Sequence, residues 1–112
     1  MWRLTVNSRS QDFFGGNIRG CINIPSDRFY PDSAADKVVS AVLRTAPTRV
    51  VFHCMFSQQR GPFCASRFAA RLPAAAPAEG ASLPEVFVLQ GGWKGWRNAF
   101  GDNATLTEGV EQ

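Results

Sequence analysis

The stretch Val50-Val51-Phe52-His53-Cys54-Met55-Phe56-Ser57-Gln58-Gln59-Arg60-Gly61-Pro62 contains the pattern that decides the fold. It begins as a run of β-branched and aromatic residues, which is typical of a buried strand. The polar residues that follow predict a loop, and Pro62 stands where a helix tolerates proline best, in its first turn. The sequence therefore predicts strand, loop and helix in succession, with Cys54 and Arg60 at the two ends of the loop.

The segment from Cys54 to Arg60 has the residues of an oxyanion site. A loop that closes onto a helix N-terminus can direct several backbone N–H groups toward one point, where the helix dipole adds a positive potential. Arg60 supplies a planar guanidinium that can hold two oxygens of a tetrahedral anion. The same potential favours the nucleophilic thiolate of Cys54. The pattern alone also fits an inert buried cysteine followed by an exposed arginine.

The composition limits the classes of protein that this chain can belong to. With 112 residues, 45% of them hydrophobic and 19% charged, we expect one globular domain over residues 1–112. The net charge of +3 comes from scattered basic residues, so we expect no nucleic-acid partner. No apolar run is long enough to span a membrane, and the first residues do not resemble a signal peptide.

Three cysteines and one histidine, without a Cys-x-x-Cys pair, predict no metal site. An odd number of cysteines favours a reducing compartment, and we expect the protein in the cytoplasm or nucleus. Cys21 and Cys64 fall on apolar stretches, so core packing is favoured over a redox role for both.

Strands and helices alternate along the rest of the chain. The other predicted elements are strands over residues 4–6, 21–25 and 85–89, and helices over residues 33–46, 61–72 and from Gly92 onward. Asp32 or Ser33 is the expected cap of the first helix. We expect a mobile linker over residues 73–84 and a loose tail over residues 103–112. Alternation predicts a parallel sheet with helices on both faces, and ligands bind such sheets at the carboxyl ends of the strands, where Cys54 falls.

Three segments resemble the rhodanese-fold family: Phe52 to Pro62, Val88-Leu89-Gln90-Gly91-Gly92-Trp93, and Val6 to Gly20. Within it, the sequence looks like the cell-division-cycle type dual-specificity phosphatases and the small eukaryotic arsenate reductases of the Acr type. Sulfurtransferases of this fold usually have a loop shorter by one residue. The resemblance therefore implies a rhodanese-like α/β fold with a loop sized for phosphate or arsenate.

The resemblance also implies roles for individual residues. Cys54 would be the nucleophile, and Arg60 would bind the anion. The oxyanion-binding loop would be Met55, Phe56, Ser57, Gln58, Gln59 and Arg60, with His53 and Gly61 in support. The implied reaction is that of a protein tyrosine or dual-specificity phosphatase, an arsenate reductase, or both. No cofactor would be bound, glutathione or glutaredoxin would serve as reductant for arsenate, and a phosphoprotein is a candidate substrate.

The sequence departs from the family pattern at several positions. The family's Asp-x-Arg after the first strand is Asn7-Ser8-Arg9, and in some relatives the middle position holds a second cysteine. Its Gly-Gly-His corresponds to Gly-Gly-Asn at Asn17, and we expect the strand and helix that usually precede the family's first strand to be missing here. Two alternatives stay open: a thiosulfate-type sulfurtransferase that works through a Cys54 persulfide, or a catalytically weak rhodanese-fold binding module.

Overall fold

A computed structural model describes residues 3–8, 16–54, 58–75 and 82–109. Its strands are β1 (Arg3–Asn7), β2 (Asn17–Ile18), β3 (Ile22–Asn23), β4 (Arg49–His53), β5 (Glu85–Val88) and β6 (Thr107–Glu108). Its helices are a 3-10 helix (Ser26–Phe29), α1 (Asp32–Leu43), α2 (Arg60–Ala75) and α3 (Gly92–Phe100). Within these described residues, no helix is both long enough and apolar enough to cross a membrane.

The main sheet has four strands in the order β3-β1-β4-β5, and all of its pairs are parallel. Val6 lies beside Phe52, which in turn lies beside Val88, so the three longer strands end at the same edge of the sheet. Strand β1 is a central strand, flanked by β3 and β4. The predicted parallel α/β sheet is confirmed.

Helices α1 and α2 cover one face of this sheet. Phe52 of β4 packs edge-on against Phe29, with ring centroids 5.7 Å apart, and against Phe68 of α2 at 5.3 Å. The two helices are also joined by Arg71, which donates hydrogen bonds of 2.7 and 3.0 Å to the two carboxylate oxygens of Asp36. This hydrogen-bonded guanidinium lowers the pKa of Asp36. The largest apolar core of the protein therefore lies between the sheet and these two helices.

Helix α3 lies on the opposite face and completes the two-sided arrangement that was predicted. Its Trp93 is buried with Ile18 and Cys21, and Leu89 and Trp96 pack against this second cluster. Trp96 and Leu89 also line a small cleft together with Thr5 of β1 and Val51 of β4. Along their strands, Thr5 and Val51 alternate with the residues that face α1 and α2, so they lie on the face that α3 covers. Both Cys21 and Cys64 are buried in apolar clusters, as expected.

Three helix boundaries differ from the prediction. Helix α1 begins at Asp32, with Pro31 in the cap position and no hydrogen bond from a capping side chain. It ends at Leu43, three residues before the predicted end, and the chain adopts a left-handed conformation at Ala46 (φ 53°). Helix α2 continues through Pro73 to Ala75, so the predicted linker starts too early. Pro73 removes one hydrogen bond from α2, and this cost is offset by the burial of Leu72 and by the packing of Ala75 on the core.

The predictions for the linker and the tail need further correction. Residues 76–81 lie outside the described part of the chain, but Pro84 is buried and Leu83 packs on the core. The tail is not loose over residues 103–109, because β6 pairs antiparallel with β2. Thr107 in β6 is buried and accepts a 2.8 Å hydrogen bond from the indole nitrogen of Trp96. The last three residues, 110–112, are outside the described range.

Candidate active site

Cys54 directly follows β4, at the carboxyl edge of the sheet. The backbone on both sides of it is fixed by neighbours: Ser8 N–H donates to the His53 carbonyl at 2.7 Å, and Trp93 N–H donates to the Cys54 carbonyl at 2.9 Å. Cys54 is 4% exposed. The predicted nucleophile is thus buried at the carboxyl end of β4, with its backbone hydrogen-bonded on both sides.

The Gly91-Gly92 pair explains how α3 reaches Cys54. Gly91 and Gly92 adopt φ angles of 81° and 59°, in the left-handed region that glycine enters at little cost. This turn reverses the chain directly after β5 and starts α3, which places the Trp93 N–H on the Cys54 carbonyl. The Gly-Gly-Trp segment singled out in the sequence is therefore part of the support beneath the nucleophile.

The far side of the predicted loop is the start of α2. Arg60 is the first residue of this helix and is half-buried, whereas Gln58 and Gln59 are exposed. The N–H of Phe63 donates to the Gln59 carbonyl at 2.9 Å, so the first turn is hydrogen-bonded. Met55, Phe56 and Ser57 lie outside the described residues. The cradle of backbone amides therefore stays a prediction.

Gly61 allows α2 to approach β4 closely. A Cβ atom at this position would lie 3.2 Å from the Cα of His53 and 3.3 Å from the backbone nitrogen of Cys54. These are backbone atoms that cannot rotate away, so any side chain here would push the helix start away from the strand end. Gly61 thus has a packing role that sets the separation of the two ends of the loop.

Cys64 is buried one turn into α2, and its thiol is influenced by groups from three segments of the chain. Burial raises its pKa to about 11, and the hydroxyl of Ser8 lowers it. The charge of Cys54 raises the pKa further, whereas the charge of Arg60 lowers it. Ser8, Cys54 and Cys64 are all buried, and the half-buried Arg60 is near enough to influence the same thiol.

Ser8 is the site residue whose importance the sequence did not indicate. It is fully buried, and within the described residues its hydroxyl forms no hydrogen bond of good geometry, although it faces the Cys64 thiol closely enough to lower the pKa of that group. The sequence drew attention to this position only through the family pattern. No local signal links Ser8 to Cys64, because they lie on different elements.

His53 is fully buried, and its Nδ1 lies 3.5 Å from the Cys54 carbonyl oxygen. This distance is at the outer limit of a hydrogen bond. The proposed support of the loop by His53 stays a prediction. No group of three or more potential metal ligands occurs among the residues that the structure describes.

Asn17, which replaces a histidine of the family pattern, ties β2 to β6. Its side-chain nitrogen donates to Glu108 at 2.8 Å and to the Ile18 carbonyl at 3.1 Å. Glu108 also forms an ion pair with Arg19 at 3.0 Å. The Asn17 side chain therefore links β2 to β6.

Comparison with known proteins agrees with this geometry. The rhodanese-like domain matches residues 5–99. The chain belongs to the rhodanese-like domain family. Among its curated relatives is a CDC25-like phosphatase, YCH1, of Saccharomyces cerevisiae, which is 32% identical over 110 residues that cover 93% of this chain and 72% of the relative.

Two further proteins to which this chain is similar differ in the activity that their names give. The dual specificity phosphatase ibp1 of Schizosaccharomyces pombe is 28% identical over 92% of this chain and 80% of its own length. The solved structure of an As-Sb reductase from Leishmania major superposes with a TM-score of 0.79 at 29% identity, covering 98% of this chain and 72% of that one. The relatives are thus phosphatases and a reductase, which makes enzymatic activity plausible for this chain.

Proposed function

We propose that this protein is a cysteine-dependent oxyanion enzyme in which Cys54 forms a covalent adduct with a phosphate or arsenate substrate. The observation that carries the proposal is that Cys54 follows β4 directly beside the start of α2: Arg60 is the first residue of that helix, and a Cβ on Gly61 would lie 3.3 Å from the backbone nitrogen of Cys54. A cysteine beside a helix N-terminus and a guanidinium is the arrangement that activates a thiolate and binds a tetrahedral anion.

In the phosphatase reaction, the Cys54 thiolate attacks phosphorus, a P–S bond forms and the ester P–O bond breaks. Water then attacks the thiophosphate, which releases phosphate and regenerates the thiolate. Arg60 and the backbone amides of residues 55–60 would bind the equatorial oxygens. Because the loop sequence from Met55 to Gln59 contains no acid, the leaving oxygen receives no proton from it. The absence of a general acid commonly costs on the order of 10²–10⁴-fold in rate, so phosphate esters with poor leaving groups would react slowly.

Arsenate reduction is the second candidate, and the similarity to the As-Sb reductase supports it. Cys54 attacks arsenic and water leaves, so this step needs no acid for an ester oxygen. An external thiol then attacks the Cys54 sulfur, and a mixed disulfide forms as the S–As bond breaks. The electron pair of that bond stays on arsenic, which leaves as arsenite, so the two thiols supply the two electrons. Glutathione or glutaredoxin would be that reductant, and a cytoplasmic or nuclear location would provide it.

The proposal also covers partners and the competing activities. A phosphoprotein is the proposed macromolecular substrate, which accords with the names of the phosphatase relatives. Sulfur transfer through a Cys54 persulfide is disfavoured by the length of the loop, and a purely binding role is disfavoured by the retained Cys54–Arg60 pair.

The experiment is a panel of three assays: hydrolysis of an aryl phosphate, reduction of arsenate with glutathione and glutaredoxin, and sulfur transfer from thiosulfate to cyanide. We expect activity in the first or second assay and its loss in Cys54→Ser. Cys21→Ser is the matched control, because Cys21 is also a buried thiol but packs with Ile18 and Trp93 on the other face. Activity that survives Cys54→Ser in every assay would exclude the covalent mechanism.

A further inference from the structure

Strand β5 is the last strand at one edge of the main sheet. In the part of the chain that the structure describes, it pairs with β4 and with no other strand. The N–H groups of Glu85 and Leu89 donate to carbonyls in or directly before β4, at 3.0 and 2.9 Å. Because backbone groups alternate in direction along a strand, the N–H and C=O groups of Val86 and Val88 point away from the sheet. Outward groups of this kind are a template for pairing with another strand.

The side chains of β5 do little to protect this edge. Edge strands commonly carry lysine, an internal proline or a bulge that discourages pairing. Strand β5 carries one charge, on Glu85 at its start, and continues as Val86, Phe87 and Val88. Phe87 lies beside Val51 on the face that α3 covers and is 43% exposed, and Val88 on the opposite face is 39% exposed. The edge therefore combines outward backbone groups with apolar surface on both faces.

One antiparallel register with a second copy of β5 satisfies all the outward groups. When Phe87 lies opposite Phe87 of the second copy, Val86 of each copy forms a hydrogen-bonded pair with Val88 of the other. A register centred on Val86 would place Val88 opposite Pro84, which has no N–H to donate. A register centred on Glu85 would set two carboxylates face to face. A register centred on Val88 would carry Val86 past the end of β5.

We propose that two copies of this chain associate by antiparallel pairing of their β5 strands, with the two-fold axis at Phe87. Side chains approach most closely in a pair without mutual hydrogen bonds, so the two Phe87 rings contact each other. The two β5 strands run in opposite directions, which places the carboxyl ends of the two sheets, and both Cys54 residues, on opposite sides of the joined sheet. The association therefore leaves both candidate active sites open.

The size of the contact sets its strength. Four residues at about 3.3 Å each make a contact about 13 Å long, on a sheet about 10 Å thick. This is well below the roughly 800 Å² that each partner buries in a stable complex. We therefore expect a weak dimer that dissociates on dilution, with a dissociation constant on the order of 0.1 mM.

The test is sedimentation equilibrium of the full chain at concentrations from about tenfold below to about tenfold above this constant. The average mass should rise with concentration from 12.3 kDa toward twice that value. Phe87→Lys and Phe87→Glu should each stay at the monomer mass, because like charges would face each other across the axis. An equimolar mixture of the two variants should recover the rise in mass, since the register brings their opposite charges together.

Further variants separate the backbone contact from the side-chain contact. Val88→Pro removes an outward N–H but no bond to β4, so it should weaken association about tenfold or more, whereas Val88→Ile keeps that N–H and should associate as wild type. Phe63→Lys is the matched control, because Phe63 is 44% exposed on α2, and this variant should also associate as wild type. Thermal unfolding of each variant is followed in parallel, and the Val88 variants decide the test if a Phe87 variant is unstable.

Three outcomes overturn the inference. A wild-type protein that stays at 12.3 kDa throughout would leave the edge to a strand from a different protein. Association that persists in Phe87→Lys or in Val88→Pro would place the contact on another surface. A mixture of Phe87→Lys and Phe87→Glu that stays monomeric, while wild type associates, would exclude the two-fold register.

Discussion

Replacing Gly61 by alanine tests whether the contact between α2 and β4 sets the geometry of the site. The new Cβ would lie 3.2 Å from His53 Cα and 3.3 Å from both His53 C and Cys54 N, closer than carbon atoms normally approach. The strand end cannot move aside easily, because the His53 and Cys54 carbonyls accept hydrogen bonds from Ser8 and Trp93. Helix α2 must therefore shift by a few tenths of an ångström, carrying Arg60 with it.

The magnitude follows from two opposing effects. Overpacking against backbone costs about 1–3 kcal/mol, and alanine recovers at most about 1 kcal/mol of helix propensity, less so in a first turn. We expect a net loss of about 1–2 kcal/mol. With an unfolding entropy of about 2.1 cal/mol/K per residue over 112 residues, this lowers Tm by about 4–8 °C. Because misplacement of about 1 Å can cost 10²-fold in rate, a shift of a few tenths should lower kcat/KM by roughly three- to tenfold.

The assay is thermal unfolding together with kcat/KM and inhibition by phosphate. Gly95→Ala is the control, because a Cβ at this position in α3 would meet only the Gln90 carbonyl, at an ordinary 3.7 Å. This variant should gain about 0.5–1 kcal/mol and keep full activity. A Gly61→Ala protein with the Tm and phosphate affinity of wild type would refute the argument that this glycine fixes the loop.

Three further predictions address the anion, the buried thiol and the end of the chain. Arg60→Lys should weaken inhibition by phosphate about tenfold or more, because a point charge cannot replace a two-pronged guanidinium; unchanged inhibition would contradict the proposed anion site. Cys64 ionises near pH 9 when unfolded but near 11 in the native protein, so stability should fall as pH rises from 9 to 11, by on the order of 2 kcal/mol. Denaturant titration should show a smaller fall in Cys64→Ala, and an equal fall would argue against the shift. Asn17→Ala should cost about 1–2 kcal/mol through loss of its bond to Glu108, and urea unfolding with no change would show that this hydrogen bond does not contribute to stability.

Local sequence patterns predicted the elements that hold the candidate site. The β-branched run from Val50, the loop and Pro62 predicted β4 and the start of α2, and the Gly-Gly pair before Trp93 marked the start of α3. These predictions succeed because periodicity, turn residues and proline act over a few neighbouring positions. Boundaries were less accurate at Pro73, where burial of Leu72 and Ala75 outweighs the local tendency of proline to end a helix.

Long-range packing decided the features that local patterns could not indicate. The pairing of β6 with β2 joins Asn17 to Glu108, which are 91 positions apart, so composition alone suggested a loose tail. The cluster of Ser8, Cys54 and Cys64 likewise joins β1, β4 and α2.

By itself, the sequence determined that a cysteine and an arginine stand at the two ends of a strand-loop-helix unit in a parallel α/β sheet. Only the tertiary structure decided what surrounds the ends of that unit: the buried side chains of Ser8 and Cys64, with α2 held against β4 at Gly61. The physical reason is that the hydrogen bonds and steric contacts that fix these groups form between segments far apart in the chain, where no local periodicity can encode them.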